Sequence, residues 1–246
     1  MKKVKKRLDL ILVDRGLSPS RERAQGLILS GNVLVDDVPV TKPGQSVSEE
    51  AAIRIRGEEH PYVSRGGLKL AAALDSFKIE TRDRVALDVG ASTGGFTHVL
   101  LLRGIKEVFA VDVGHNQLDW KIRQDPRVKT FEGINARYLE YSLIERTVDL
   151  IVVDVSFIGL EKIFPALRQF SHSETDWITL IKPQFEVGRE KVGKGGIVHS
   201  EEDRMQAARK LIDASESFGL RHLGLIESPI TGTNGNKEFL AHWKLC

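Results

Sequence analysis

Asp88-Val-Gly-Ala-Ser-Thr-Gly-Gly-Phe96 follows a short apolar run, Val85-Ala-Leu87, and opens a helical pattern from Gly94 to Arg103. Strand, glycine-bearing turn and helix in that order form the layout of a nucleotide-cofactor site. Gly90 allows a tight turn, and Gly94 with Gly95 lets backbone and helix start approach a ligand closely. The spacing is neither G-x-G-x-x-G nor a P-loop, because no Lys-Ser/Thr pair follows the glycines. An acid near the strand end with glycines two, six and seven residues on suits a nucleoside without phosphates but with a charged amino-acid tail, such as S-adenosylmethionine. The plainer alternative is a tight turn in an α/β domain with no ligand.

The 246 residues allow one large domain, or a medium one with a small companion. An apolar share of 41% suffices for a packed core. A single cysteine, Cys246, excludes a disulfide framework and argues against a structural metal site, so no metal ligands are assigned. No apolar run reaches the roughly 18 residues of a membrane span, and the Lys-rich start lacks the core of a signal peptide. A cytoplasmic protein acting as a monomer is expected. Residues 1–35 hold eight Lys/Arg against three acids, +5 in a chain whose net charge is +2, which leaves −3 elsewhere. A basic front of this kind points to a polyanionic partner, although Lys2 to Lys6 alone read better as a solubilising tail.

Leu8, Ile11 and Leu12, then Ala24, Leu27 and Ile28, recur at helical spacing, closed by Gly16 and Gly31. Arg21 and Arg23 open the second helix against its dipole, which suggests a bound phosphate or a solvated end. Val33, Val35, Val38 and Val40 around Asp36-Asp37 read as a hairpin, and Ile53 and Ile55 as a further strand, giving an ααβββ unit. Arg7-Leu-Asp9, Arg15-Gly-Leu17, Ser20-Arg21 and Gly31-x-Val33-x-Val35 resemble the RNA-binding domain named after ribosomal protein S-four. That resemblance implies RNA contacts by Arg7, Arg15, Arg21 and Arg23. The boundaries read as 1–58 for this α+β unit, 59–63 for a linker and 64–246 for the rest. In the last part Ser64 could cap an Ala/Leu-rich helix.

From Val85 onward, β-rich runs at 85–89, 107–113, 127–132, 148–154, 176–182, 221–228 and 238–245 alternate with helical patterns near 94–103, 116–123, 160–170 and 201–218. This predicts a doubly wound, mostly parallel sheet, with ligands beyond the carboxyl ends of its strands. Asp88, Asp112, Asp154 and Lys182 all fall at such ends and should converge on one crevice. Asp112 could take ribose hydroxyls; Asn135 could read an adenine edge or simply hold a turn. Lys182 closes an apolar strand and needs a partner, for which Asp154 is placed. Residues 183–200 are rich in Gly and charge and read as a lid or substrate loop.

Further motifs run nearly end to end in order: Ser64-Arg-Gly66 with Lys69, the 88–96 loop, Asp112-Val-Gly114, Asp125-Pro-Arg127, Asn135-Ala-Arg137, Asp154-x-Ser-Phe157, Lys182-Pro-Gln-Phe-Glu-Val-Gly188, Gly195-Gly-x-Val-His199 and Gly235-Asn-x-Glu238. With them the chain resembles the TlyA-type "haemolysin" family of S-four-fused, FtsJ-like ribosomal RNA 2′-O-methyltransferases. The resemblance implies a Rossmann-like class I methyltransferase with a seven-stranded sheet. It implies S-adenosylmethionine held by Asp88, Gly90, Ser92, Gly94, Gly95, Phe96, Asp112 and Asn135, a catalytic set of Lys69, Asp154, Lys182 and Glu238, and Arg65 on the RNA. It departs at His60-Pro-Tyr-Val63, where longer relatives carry an Arg-x-Trp-Val linker. The resemblance implies cytidine in large-subunit RNA, with small-subunit RNA as a further target; the end soon after Glu238, similar to the shorter branch, leans toward the large subunit alone. A ribose 2′-OH is a weak acid that needs a base or a cation, and a desolvated lysine can serve. A membrane-active haemolysin and a non-catalytic RNA-binding protein are the competing expectations. The first lacks a spanning segment, and the second leaves the four polar side chains unexplained.

Overall fold

The computed structural model describes residues 5–55 and 60–246, of which the side chain of Thr233 is left aside. Arg56 to Glu59, and with them the start of the expected linker, lie outside the described residues, as do Met1 to Val4. The chain divides into two compact units, residues 1–60 and 61–246.

In the first unit, β1 (Lys5–Arg7) leads into α1 (Leu8–Asp14) and α2 (Arg21–Leu29), followed by β2 (Val33–Val35), β3 (Val38–Val40), β4 (Ser46–Ser48) and β5 (Ile53–Ile55). The order β3-β2-β5 is antiparallel throughout, and Asp36 and Asp37 turn the hairpin in left-handed conformations, φ 50° and 64°. Leu8, Ile11, Leu12, Ala24, Ile28, Val33, Val40 and Val47 form its core. Two features depart from expectation. Lys5 and Lys6 are not a loose tail but part of β1, paired with β4, and Lys6 bonds Asp14. Three charged residues carry no alternation by which a strand can be recognised.

The second departure is at the head of α2, where the reason for Arg21 is a protein carboxylate. Asp9 is fully buried and accepts from Arg7 at 3.0 and 2.8 Å, from Arg21 at 3.0 Å and from Gln25 at 2.9 Å. These bonds, Arg7 foremost, hold its carboxyl well below the usual range despite the burial.

The second unit holds α3 (Gly66–Phe77), β6 (Val85–Val89), α4 (Gly95–Leu102), β7 (Glu107–Asp112), α5 (Trp120–Arg123), β8 (Val128–Glu132), β9 (Val148–Val153), α6 (Phe164–Arg168), β10 (Ser171–Ile181), α7 (Pro183–Glu186), α8 (Glu201–Ser215), β11 (Leu220–Glu227) and β12 (Phe239–Leu245). The seven strands run in the order β11-β12-β10-β9-β6-β7-β8. β8, β7, β6, β9 and β10 are mutually parallel, and β12 is antiparallel to both its neighbours. The crossovers diverge between β6 and β9, so the crevice lies where the chain leaves those two strands. Alternate residues feed two cores. Val85, Leu87 and Val89 join Phe164, Trp177, Leu211 and Trp243 on one face; Ala86 joins Leu70, Leu74, Val99 and Leu100 on the other. Helix α3 starts without the expected Ser64 cap: Arg65 is its N-cap residue and makes no side-chain cap bond. The Ser64 hydroxyl instead lies where a side chain on Gly95 would stand, so the starts of α3 and α4 approach closely.

Asp9→Ala should destabilise the first unit by about 1–3 kcal/mol, the loss of charged hydrogen bonds to arginines that can rehydrate. Because the folded pKa is depressed, this contribution is present above the unfolded value of about 4 and is lost as pH falls below it. Hydrogen exchange of residues 5–55 in the intact chain, compared with wild type at pH 7 and pH 3, measures both.

Candidate active site

The register of the sheet gathers the polar residues. Asp88 is the fourth residue of β6, opposite Val152, and Asp154 leaves β9 with its N–H donating to the Val89 carbonyl at 2.9 Å. Lys182 leaves β10, and Ile181 is paired with Phe239, which brings Glu238 in on the antiparallel strand beside it. Lys69 reaches Glu238 from α3. The four expected catalytic side chains therefore stand as two ion pairs. Lys182 Nζ is 2.6 Å from Asp154 Oδ1, and Lys69 Nζ is 2.5 Å from Glu238 Oε2. Both pairs are largely out of water; the Glu238 side chain is 2% exposed and Lys69 10%. Lys182 has a second acceptor, Ser156 Oγ at 2.8 Å. Sequence reasoning assigned no role to that serine, although it lies within the Asp154-x-Ser pattern.

The glycine loop is shaped by contact. Gly90, at φ 84°, passes so close to the Asp154 carbonyl that a Cβ would collide with it. Gly94, at φ 90°, caps α4, and a Cβ there would stand 2.8 Å from Leu118. Ser92 is left-handed at φ 47°, and its N–H donates to Asp112 Oδ2 at 2.8 Å, while Gly114 N–H donates to Asp112 Oδ1 at 2.7 Å. Asp112 thus joins the two loops, and each oxygen keeps a lone pair for a further donor. Phe96 sends its ring into the core at 3% exposure, which leaves only its backbone to a ligand. Asn135 accepts from Arg137 N–H at 3.0 Å, the turn role foreseen for it, with its amide group on an exposed residue.

Asp88 is fully buried. Thr97 Oγ1 donates to its Oδ2 at 2.6 Å, but its Oδ1 has no partner. Thr97, nine residues away, carries no sequence signal of that bond. Burial above all, with Asp154 and Asp112 adding repulsion, pushes the Asp88 carboxyl up to about 7 against the Thr97 bond. An orphaned buried acceptor, a second carboxylate at the neighbouring strand end and no Lys or Arg in 88–96 fit a cationic amino group and ribose hydroxyls. A phosphate would be repelled. Among the described residues no group of three or more His, Cys, Asp or Glu could hold a metal ion.

The expected lid, 183–200, is structured. After α7, Val198 N–H donates to Asn236 Oδ1 at 3.1 Å, and Asn236 Nδ2 to the Gly196 carbonyl at 2.8 Å; this fastens the segment to the loop before Glu238.

The expected RNA-facing arginines divide. Arg7 and Arg21 serve Asp9 yet keep side chains 45% and 51% exposed. Arg15 donates to the Ala51 carbonyl at 2.9 Å and to that of Glu49. Arg23 is half-buried in the first turn of α2, its N–H on Ser20 Oγ at 3.2 Å, and Arg65 is exposed.

Comparison with known proteins accords with this layout. The family described as FtsJ-like methyltransferase matches residues 62–245, and the one described as S4 domain matches residues 6–53. The chain is 44% identical to the 16S/23S rRNA (cytidine-2'-O)-methyltransferase TlyA of Mycobacterium tuberculosis, over 95% of this chain and 87% of that one. It is 40% identical to Hemolysin A of Brachyspira hyodysenteriae over 96% and 99%. A solved structure from Streptococcus thermophilus, described as "Putative hemolysin", superposes with TM-score 0.78 at 41% identity, covering 99% of this chain and 89% of that one. The N-methyltransferase NodS of Bradyrhizobium japonicum, at 12% identity over 76% and 98% with TM-score 0.51, shares the fold.

Asp88→Asn should raise the stability of the second unit. A carboxyl whose folded pKa lies above its unfolded value costs stability once pH exceeds the latter, in full above the folded pKa. The gain should approach about 4 kcal/mol at pH 8, at about 1.36 kcal/mol per pKa unit, and vanish below about pH 4. Thermal melts of both proteins across that range test it.

Proposed function

The chain belongs to the FtsJ-like methyltransferase family, and from that premise we propose that it transfers a methyl group from S-adenosylmethionine to the 2′-OH of a cytidine in ribosomal RNA. The observation that carries the reading is the Lys182–Asp154 pair at the mouth of the β6/β9 crevice, on the same sheet edge as the glycine loop. The relatives named as rRNA (cytidine-2'-O)-methyltransferases support the substrate. The match of residues 6–53 to the S4 domain supports binding of folded RNA by the first unit. The exposed faces of Arg7 and Arg21 in this unit supply cations for its phosphates, and Arg65 is an exposed cation of the second unit. Large-subunit RNA is the proposed target, with small-subunit RNA the alternative that the 16S/23S relative raises, and the protein is proposed to work in the cytoplasm as a monomer.

Asp88 would take the cofactor's ammonium on its free Oδ1, Asp112 the ribose hydroxyls and Asn135 the adenine edge, with Gly90 and Gly94 making room for the backbone to close on it. When bound, the cofactor supplies a methyl group already activated on a sulfonium. The chain's own task is to present an oxygen nucleophile in line. The Lys182 ammonium first gives a proton to solvent, its Nζ then accepts the 2′-OH proton, and Asp154 Oδ1 at 2.6 Å stabilises the ammonium that is restored. Ser156 fixes the direction of Nζ from a second side. Lys69, held by Glu238, adds positive potential where the alkoxide develops. Orientation in a water-poor crevice supplies much of the remaining rate. A target base inside a folded RNA helix has to be turned out to reach this crevice.

Lys182→Ala should lower methyl transfer by about 10²–10⁴-fold, the usual worth of a positioned proton acceptor, with S-adenosylmethionine binding retained by calorimetry. Tritium transfer to isolated large and small ribosomal subunits, with the product position mapped, reads both rate and target. Undiminished turnover would sink the assignment of Lys182, and methylation of a base would sink that of the ribose oxygen.

A further inference from the structure

We infer that Glu186 is a positioning residue for Lys182, locking the segment that leaves β10 onto the segment that leaves β9; the inference rests on the role given to Lys182 above. Both segments carry reacting groups. The first holds Asp154 and Ser156; the second begins with Lys182 and turns at once into α7. That single turn is built on the lysine, since Phe185 N–H donates to the Lys182 carbonyl at 2.9 Å. Any rocking of α7 therefore displaces Lys182 itself.

Three contacts tie α7 across. At the near end Lys182 Nζ meets Asp154 and Ser156. In the middle the rings of Phe157 and Phe185 lie 5.3 Å apart between centroids. At the far end Glu186 Oε1 accepts the Leu160 N–H at 3.0 Å. That donor opens the 3₁₀ turn Leu160–Lys162 and has no partner inside it. Gly159 makes the room: a Cβ there would stand 3.2 Å from Glu186 Oε2.

The placement is costly. Burial pushes the Glu186 carboxyl up to about 6, assisted by Glu161, while the Leu160 bond and the more distant Lys210 and Lys162 offset it in part. A surface carboxylate would be cheaper by itself, so what it gains is the cross-link. The Lys182 side chain is 11% exposed between Asp154 and Ser156 and so depends on the spacing of two chain segments. A shift of about 1 Å there can cost about 10²-fold in rate.

The test uses the full chain with ribosomal subunits and S-adenosylmethionine. Glu186→Met keeps the stem and removes the acceptor; Glu186→Gln keeps an acceptor for Leu160 N–H. Glu186→Met should lower kcat about 10–100-fold, leave KM for cofactor and RNA within about twofold, and speed acetylation of Lys182 by acetic anhydride relative to the other lysines. Glu186→Gln should restore kcat to within about threefold. A Glu186→Met enzyme with wild-type kcat overturns the inference, as does one whose loss lies in KM or follows a fall in melting temperature. A Glu186→Gln enzyme as impaired as Glu186→Met also overturns it. If Glu186→Met does not fold, the same three readouts on Glu186→Ala decide. A Lys182→Ala control separates the two readings. If it is inactive while Glu186→Met is normal, only the positioning role fails; if it turns over normally, the role of Lys182 fails first.

Discussion

An ammonium at the end of an apolar strand has to be met by a carboxylate, and that requirement organises the second unit. Lys182 follows seven consecutive residues of β10 that are buried, Thr175 to Ile181. Pairing it demands an acid at the end of an adjacent strand, and the parallel β9–β10 register delivers Asp154. The antiparallel β12 brings Glu238 to the same edge, and α3 must then bring Lys69 to neutralise it. Each charge placed there thus recruits the next element. Pairs of this kind are poor devices for stability alone, because desolvation cancels most of the attraction. Their presence at one sheet edge is better explained by a reaction that needs a proton acceptor and a positive field in the same place.

The same trade governs Asp88. A fully buried carboxylate with one unpaired oxygen lowers the stability of the folded state at neutral pH, and Thr97 offsets only part of it. The glycine loop adds strain of its own at left-handed Ser92, while Gly90 passes the Asp154 carbonyl where no Cβ would fit. This contact has a consequence for the chemistry. The glycine loop and the segment that carries Asp154 touch directly, so the proposed donor pocket and the Lys182–Asp154 pair are tied by one piece of backbone geometry. Strain concentrated at such a point is what a preorganised site requires, and the two cores on either face of the sheet supply the stability that supports it.

The parts legible in the sequence are those with a period or a fixed offset. The seven β-rich runs correspond to the seven strands, and strand ends placed Asp88, Asp112, Asp154 and Lys182 on one edge. The catalytic roles of Glu238 and Lys69 came from resemblance: the pattern placed the Glu238 carboxylate at the start of the last strand, but nothing in an exposed-looking lysine on an Ala/Leu helix announces a partner 169 residues away. Contacts were not legible. Thr97 on Asp88, Ser156 on Lys182 and Ser64 against Gly95 depend on side-chain directions that composition does not encode. The strand Lys5–Arg7 escaped because its hydrogen bonds are made by backbone while its side chains imitate a tail. Arg21 at the head of α2 was read as meeting a phosphate or lying at a solvated helix end, whereas Asp9, within an apolar helix pattern, is the anion it meets.

The name Hemolysin A among the relatives raises a different reading, and the site bears on it. No described helix is long and apolar enough to cross a membrane. A lytic protein would gain nothing from holding Glu238 at 2% exposure against a lysine, or from burying Asp88 with one oxygen unpaired. Those arrangements are costly in any fold and have a return only where a charged cofactor and an ionising hydroxyl meet them. Since the costs lie at the carboxyl edge of the sheet and not on an exposed apolar face, the physics of the second unit favours chemistry on RNA over action on a bilayer.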